Sequence, residues 1–375
     1  PAFIANRLGV MSSMKILELT KEMDFKIEEV DALTGPIIGR PNTGTFRLQD
    51  LVGIDTGENV SRFVRATVKN DEFVDSFKNI PTPKYIDFLI ENNFLGNKTK
   101  KGFYEKTNLK DEKGKTIIKA LNLESLKYET SIRPNLDILK KAKSIENFGK
   151  RLKLLIEGDA RENIFFQKYF SSLLSYSANR VPEISNKFFF VDIVFRAGYM
   201  WDYGPFQYWD CLGFESGLQL IEKNGEKLPS WIYEMKKRKI TSFYKIANGK
   251  RKFLDINTFQ YVDFPDEDQF IILDSLRSLE PIYKNSECVV HDIGNEVLCV
   301  EFISKSNSIG EGIGKGINEA IMIAEERGLR GVVIGNNAKQ FSVGANLMNV
   351  GMLAMQKDFE SLSKLIEGFQ NLNML

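Results

Sequence analysis

Between Gln340 and Leu347 the chain reads Gln-Phe-Ser-Val-Gly-Ala-Asn-Leu, directly after the apolar, strand-like stretch Gly331 to Gly335. A Gly-Ala step placed there presents free backbone amides, and amides held in that way can stabilise an enolate oxygen. Other chemistry has less to work with. The sequence contains one histidine, His291, whereas Ser-His-Asp, Cys-His and multi-histidine metal sites all need a histidine placed by the fold. His291 sits in Val289-Val290-His291-Asp292-Ile293, just before a strand-like segment, and is read as structural or surface-exposed. Cys211, Cys288 and Cys299 are an odd count without C-x-x-C spacing, which argues against a disulfide framework or a zinc site and suits a reducing cytoplasm. Gly310-Glu311-Gly312-Ile313-Gly314-Lys315-Gly316 opens a helix after a strand, a position in which glycine amides can hold phosphate. Its spacing fails both nucleotide patterns. Ile309 stands where a Walker loop needs its first glycine, and Lys315 where a dinucleotide loop needs its third. The expectation for this loop is a small-residue helix face packed closely on a sheet.

The elements that would position these residues follow from composition and period. Lys and Arg total 51 against 50 Asp and Glu, a net charge of +1, so no global field recruits nucleic acid or an anionic membrane. The longest apolar run, Lys187 to Phe195, is broken by Asp192 and is far shorter than the roughly 20 residues needed to span a bilayer. Residues 1–107 are predicted to be mostly helical, with Phe3, Leu8, Met11 and Leu17 on one stripe, Ile86, Leu89, Ile90 and Phe94 on another, and a stop at Leu95-Gly96-Asn97. The acidic run Lys21 to Glu29 reads as a solvated helix face. Residues 108–159 read as a connecting arm with helices. An internal repeat follows in 160–227: Phe46, Asp50 and Gly53 recur as Phe206, Asp210 and Gly213, each 160 positions on. In each copy an acidic-apolar step, Asp31-Ala32-Leu33 or Asp192-Ile193-Val194, leads through a glycine-containing loop into the Phe, a pattern that sets loop and helix packing rather than chemistry. Residues 228–286 carry strand-like pieces, Phe259 to Phe264 and Phe270 to Leu273, and no assignable role. From Glu296 the order strand (Val297 to Ile303), helix (Ile309 to Glu326), strand (Gly331 to Ile334) and a helix from Met348 makes a β/α unit within 287–375.

Three ordered blocks carry a family resemblance. Pro1-Ala2-Phe3-Ile4-Ala5-Asn6-Arg7-Leu8 resembles the Gly-Phe-Ile-x-Asn-Arg-Leu entry into the C-terminal domain of 3-hydroxyacyl-CoA dehydrogenases, with Ala2 replacing the usual glycine. Thr43 to Asp55 and Lys98-Thr99-Lys100-Lys101-Gly102-Phe103-Tyr104 fit the same family. The Gln340–Leu347 stretch, with Asn307-Ser308-Ile309-Gly310 and the helix after it, resembles the opening third of the enoyl-CoA hydratase/isomerase (crotonase) family, with Asn346 where Asp is usual. The fold class so implied is mainly α: two helical dehydrogenase repeats followed by a partial α/β, crotonase-like ββα unit.

The resemblance further implies a bifunctional enzyme of fatty-acid β-oxidation acting on acyl-CoA thioesters, with NAD held mainly by a domain preceding Pro1 and a thiolase as a partner. It gives Asn6 a catalytic role, its amide aimed at the substrate's 3-oxygen and a catalytic histidine, an arrangement the donor and acceptor ends of an amide allow. It makes the Ala345 amide half of an oxyanion hole, with Gly344 and Asn346 beside the substrate, while Arg7 is structural. A chain with no initiating Met and only part of a crotonase domain is expected to be a piece, silent by itself, of a cytoplasmic enzyme. A docking or oligomerisation module and an acyl-CoA-binding protein remain the alternative readings.

Overall fold

The computed structural model describes residues 2–265, 269–338 and 340–374. The chain divides into two units, Pro1–Phe243 with Asp255–Gln260, and Tyr244–Leu254 with Tyr261–Leu375.

In the first unit, α1 (Ile4–Glu22) buries Leu8, Met11, Ile16 and Leu19, each fully buried aliphatic contributing about 1.5–3 kcal/mol. Phe3, expected on that stripe, is the N-cap and is 81% exposed, and Leu17 is only half-buried. The short helices α2 (Ile27–Leu33), α3 (Phe46–Val52), α4 (Ile54–Thr67), α5 (Glu72–Phe77) and α6 (Lys84–Glu91) follow. Val10 of α1 packs with Val64, Val68, Val74 and Phe77, which ties α1 to α4 and α5. The run Lys21 to Glu29 spans the end of α1, a four-residue turn and the start of α2, not one solvated helix face. Phe25 within it is buried and meets Phe165 edge-on at 5.5 Å. The helix expected to stop at Leu95-Gly96-Asn97 ends four residues earlier, at Glu91.

Residues 108–159 depart from the expected helical arm. They complete an antiparallel sheet of β1 (Tyr104–Lys110), β2 (Thr116–Leu121) and β3 (Tyr128–Thr130), with Tyr104 opposite Ala120, before α7 (Asp137–Lys143) and α8 (Phe148–Ile156). These strands carry lysines and bury only Tyr104, Ala120 and Leu121, so they lack the apolar alternation that marks a half-buried strand.

The repeat is a repeat of geometry. The second copy is built from α9 (Arg161–Asn179), α10 (Phe189–Tyr199), α11 (Pro205–Leu212), α12 (Phe214–Lys223) and α13 (Ser230–Lys237). Asp31 accepts the N–H groups of Thr45 (2.8 Å), Phe46 (2.6 Å) and Arg47 (3.2 Å), so it caps α3 from a distance. Asp192 does the same for α11 through Phe206 (2.9 Å) and Gln207 (3.1 Å). Pro205, at the place of Thr45, has no N–H to give. A second carboxylate closes each copy: Asp50 accepts from Phe103 (2.7 Å) and Tyr104 (2.9 Å), and Asp210 from Phe243 (2.8 Å). The second lock therefore reaches beyond the expected boundary at Lys227. Between α3 and α4, and again between α11 and α12, one residue turns the chain with φ of +102° (Gly53) or +90° (Gly213), a conformation that glycine adopts without strain. Helix α9 is buried on most sides, with polar Asn163, Gln167, Ser171, Ser172, Ser175 and Ser177 among its buried residues. Phe165, Phe166, Tyr169, Phe170, Leu173 and Leu174 are buried as it packs against α1, α8 and α12.

The second unit begins with an antiparallel sheet, β4 (Tyr244–Ala247), β5 (Lys250–Asp255) and β6 (Gln260–Asp263). Phe270 to Leu273 is not a strand, since Leu273 starts the short helix α14 (Leu273–Leu276). A four-stranded sheet follows in the order β10-β9-β8-β7, made of β7 (Tyr283–Lys284), β8 (Cys288–Asp292), β9 (Val297–Phe302) and β10 (Gly331–Gly335). The chain crosses from β9 to the parallel β10 through α15 (Glu311–Glu326), a β/α/β unit. Cys288, Val290, Leu298, Val300 and Phe302 bury one face of the sheet against Ile313, Ile317, Ala320 and Ala324 of α15. The helices α16 (Leu347–Met355) and α17 (Phe359–Leu372) end the unit. Among the described residues no helix is long and apolar enough to cross a membrane.

Candidate active site

Asn6 lies in the first turn of α1, half-buried, and its carboxamide has no hydrogen-bond partner among the described residues. Its neighbours on either side are held firmly. The Ala5 carbonyl accepts the Tyr199 hydroxyl at 3.0 Å. Arg7 is 5% exposed and forks onto Asp71 Oδ2, 3.2 Å from Nε and 2.7 Å from Nη2, while Nη1 reaches Glu183 Oε1 at 2.6 Å. Asp71 also accepts from the Tyr176 hydroxyl at 2.7 Å, faces Arg180 Nη1 at 3.2 Å, and caps α5 through the amides of Phe73 and Val74. Burial would raise the Asp71 carboxyl, but the Arg7 guanidinium and the Tyr176 hydroxyl outweigh it and hold the group below the usual carboxylate range. Arg7 is therefore a structural cation, and a planar fork suits this bidentate duty in a way that lysine cannot match. Asp71, Glu183 and Tyr199 were not singled out in the sequence. They lie 64, 176 and 194 positions from their partners, beyond any local period.

Tyr104 joins the two caps of the first copy: its N–H goes to Asp50 and its hydroxyl to Asp31 at 2.7 Å. Burial pushes Asp31 up to about 6 against its hydrogen-bond donors, and likewise pushes Asp50 up to about 6. With all their oxygens engaged inside the fold, these carboxylates and the Phe46 and Phe206 rings are packing devices.

Gly344, Ala345 and Asn346 lie together in the second unit, while Asn6 lies in the first. The loop after β10 and the loop after β9 meet at the carboxyl ends of two parallel strands, where crevices of α/β sheets bind their ligands. Ile309 N donates to Gly344 O at 2.8 Å and Asn346 N to Ile309 O at 2.9 Å, a single parallel bridge. That register turns the Ala345 N–H away from the bridge. It is exposed and has no partner among the described residues. The loop is pinned around it: Ser342 Oγ donates to Asn307 O (2.7 Å) and accepts from Gly344 N (2.9 Å), and Asn307 Nδ2 donates to Gln340 O (3.1 Å). Gly344 has φ +89°. Asn346 caps α16 by accepting the Met348 N–H at 3.1 Å, so its side chain is occupied structurally.

His291 lies inside a strand of its own, β8, ahead of β9, and is 4% exposed. Its Nε2 is 2.9 Å from Glu301 Oε2, and Arg277 donates to the same carboxylate at 3.0 and 2.6 Å. The pairing neutralises buried Glu301, which gives His291 a structural role on the sheet face opposite α15. Burial raises the Glu301 carboxyl, but His291 and Arg277 overcome that and hold it low. A depressed carboxylate stabilises the fold above its unfolded-state value and loses that contribution as pH falls through its folded-state value. Thermal melts followed by circular dichroism are therefore expected to show a steeper loss of stability from about pH 5 to pH 3 in the wild type than in Glu301→Gln. Equal slopes would remove this pair from the acid response.

The glycine-rich loop does not fit a nucleotide. The Glu287 carboxylate already accepts the Ile313 N–H at 3.1 Å at the start of α15, and side chains at Gly310 or Gly312 would collide with it. An internal anion occupies the place a pyrophosphate would take. Gly316 packs directly on Cys288 Sγ. Among the described residues no cluster of His, Cys, Asp and Glu could hold a metal ion.

Residues 3–106, from α1 through the carboxylate-locked helices, match the family 3-hydroxyacyl-CoA dehydrogenase, C-terminal domain, and the chain carries that domain. Similarity to individual proteins extends further. The chain is 33% identical over 379 residues to a protein of Bacillus subtilis (strain 168) named "Probable 3-hydroxyacyl-CoA dehydrogenase", covering 100% of this chain and 46% of that protein. It is 25% identical over 372 residues to a Rickettsia prowazekii (strain Madrid E) protein provisionally named a fatty acid oxidation complex trifunctional enzyme, covering 98% and 46%. A Deinococcus radiodurans protein, also named "Probable 3-hydroxyacyl-CoA dehydrogenase", is 36% identical over 118 residues, 31% of each chain. The chain thus spans about half the length of the first two relatives.

Proposed function

We propose that this chain is the helical, substrate-side part of an NAD-dependent 3-hydroxyacyl-CoA dehydrogenase of fatty-acid β-oxidation, fused to the start of an enoyl-CoA hydratase. NAD, when bound, would supply the hydride acceptor for C3 of a (3S)-3-hydroxyacyl-CoA, and a general base would have to take the hydroxyl proton for the 3-oxoacyl-CoA to form. The Asn6 amide donates to the 3-oxygen as charge develops there. The carrying observation is the unpartnered, half-exposed Asn6 carboxamide on a turn clamped on both sides, within the domain that matches the family. A polar group left unsatisfied in an ordered setting is suited to a ligand.

The relatives' names support the substrate class: one is named a dehydrogenase of 3-hydroxyacyl-CoA and another a fatty acid oxidation complex enzyme. The 375 residues alone are read as silent, because the described residues offer no dinucleotide loop. NADH formation from 3-hydroxybutyryl-CoA, followed spectrophotometrically, is expected for the full-length protein and not for residues 1–375. In the full-length protein Asn6→Ala is expected to lower kcat about 10- to 150-fold, the loss of one hydrogen bond to a charged group. Full activity in Asn6→Ala would end this reading of the site.

A second activity rests on its own observation. The exposed, unpartnered Ala345 N–H, at the carboxyl end of parallel strands, is suited to one half of an oxyanion hole for the hydration of 2-enoyl-CoA. Gly344 and Asn346 would border the bound thioester.

A further inference from the structure

The Asn6 side chain has no hydrogen-bond partner among the described residues, yet the residues on both sides of it are gripped by the second helical copy. Tyr199, the last residue of α10, donates its hydroxyl to the Ala5 carbonyl. Glu183, just beyond α9, takes the Arg7 guanidinium at 2.6 and 3.2 Å, and Tyr176 and Arg180 of the same region complete the cage around Asp71. The approach is close enough that a methyl group at Gly9, one turn into α1, would collide with the Tyr199 phenol. Gly198 likewise lies within 3.5 Å of the Ala5 side chain, measured from where its own Cβ would be.

A helix terminus frays unless something ties it down, because its first amides have no intrahelical acceptors. Here the first turn of α1 has no side-chain cap, since its N-cap is Phe3. Its order has to come from outside the helix: the second copy supplies it at Ala5 and shares with Asp71 of the first copy the hold on Arg7. We infer that the second copy is a positioning device for Asn6, with Tyr199 as the positioning residue that fixes the turn through the Ala5 carbonyl. This inference rests on the reading of Asn6 as a group that touches substrate.

A positioning role makes a coupled prediction that a packing role does not. In the full-length protein Tyr199→Phe keeps the ring and loses only the hydroxyl. It is expected to lower kcat for 3-hydroxybutyryl-CoA oxidation about 3- to 10-fold with KM nearly unchanged, a loss of one neutral hydrogen bond acting through geometry. In an Asn6→Ala background the same change is expected to cost nothing further, because there is no amide left to aim. Gly9→Ala, which pushes the phenol away, is expected to reproduce the kcat loss, and covers the case in which Tyr199→Phe is too mild to read. Additive losses in the double variant, or an effect on KM alone, would overturn the inference while leaving the reading of Asn6 intact. An Asn6→Ala protein with full activity would instead remove the reading on which it rests.

Discussion

Asp71→Ala is expected to destabilise the first unit by about 3–5 kcal/mol, read as a shift in the midpoint of urea unfolding at unchanged slope. The size follows from what would be left behind. Asp71 is fully buried and faces two guanidinium groups, Arg7 and Arg180, as well as the Tyr176 hydroxyl. Arginine cannot shed its proton to escape such a site. Glu183 is the one other carboxylate paired with these two arginines among the described residues, and its side chain is 47% exposed, so it would not neutralise both. The α5 cap is lost in the same step, adding roughly 1 kcal/mol. Asp71→Asn, which keeps the shape and removes the charge, should sit between the wild type and the alanine variant. A loss below about 1 kcal/mol for Asp71→Ala would mean that water, not the protein, satisfies the cage.

The second large effect belongs to the other unit. Ala345→Pro removes one N–H and is expected to lower hydration of 2-enoyl-CoA by the full-length protein about 100- to 1,000-fold. The bridge that positions the loop uses Ile309 N, Gly344 O and Asn346 N, and the Ala345 amide takes no part in it, so the substitution spares the local hydrogen bonds. Oxidation of 3-hydroxybutyryl-CoA, measured in the same preparation, is expected to persist and serves as the control for folding. Unchanged hydration would dismiss Ala345 as an oxyanion donor.

How far the sequence revealed this molecule depended on the range of the interactions. The Phe46/Phe206, Asp50/Asp210 and Gly53/Gly213 register was legible because each copy sets an aromatic plug, a carboxylate and a positive-φ glycine within eight residues, although the segments that Asp50 and Asp210 lock lie 53 and 33 positions on. The β9–α15–β10 order was legible because buried β9 and a small-residue helix leave strong periodic signals, although Gly331 to Gly335, which reads as a buried strand, leaves Val333 and Ile334 exposed in β10. The sheet in residues 104–130 was hidden, since lysine-bearing strands that bury only Tyr104, Ala120 and Leu121 have no apolar alternation. His291 was placed beside its strand because a single polar residue in Cys-Val-Val-His-Asp looks like an ending. Only the structure pairs it with Glu301 across the ladder. Asn6 and the Gly344–Asn346 step were named from the sequence, but the contacts that hold Ala5 and Arg7 on either side of Asn6 were not, because Tyr199 and Glu183 reach those neighbours from another copy.

Carrying both copies of the module on one polypeptide has a consequence for behaviour on dilution. A contact made between separate subunits weakens as concentration falls, whereas tethered modules meet at a fixed local concentration on the order of millimolar. The Tyr199–Ala5 and Glu183–Arg7 contacts are of the tethered kind. The geometry around residue 6 should therefore be as well formed at nanomolar as at micromolar protein.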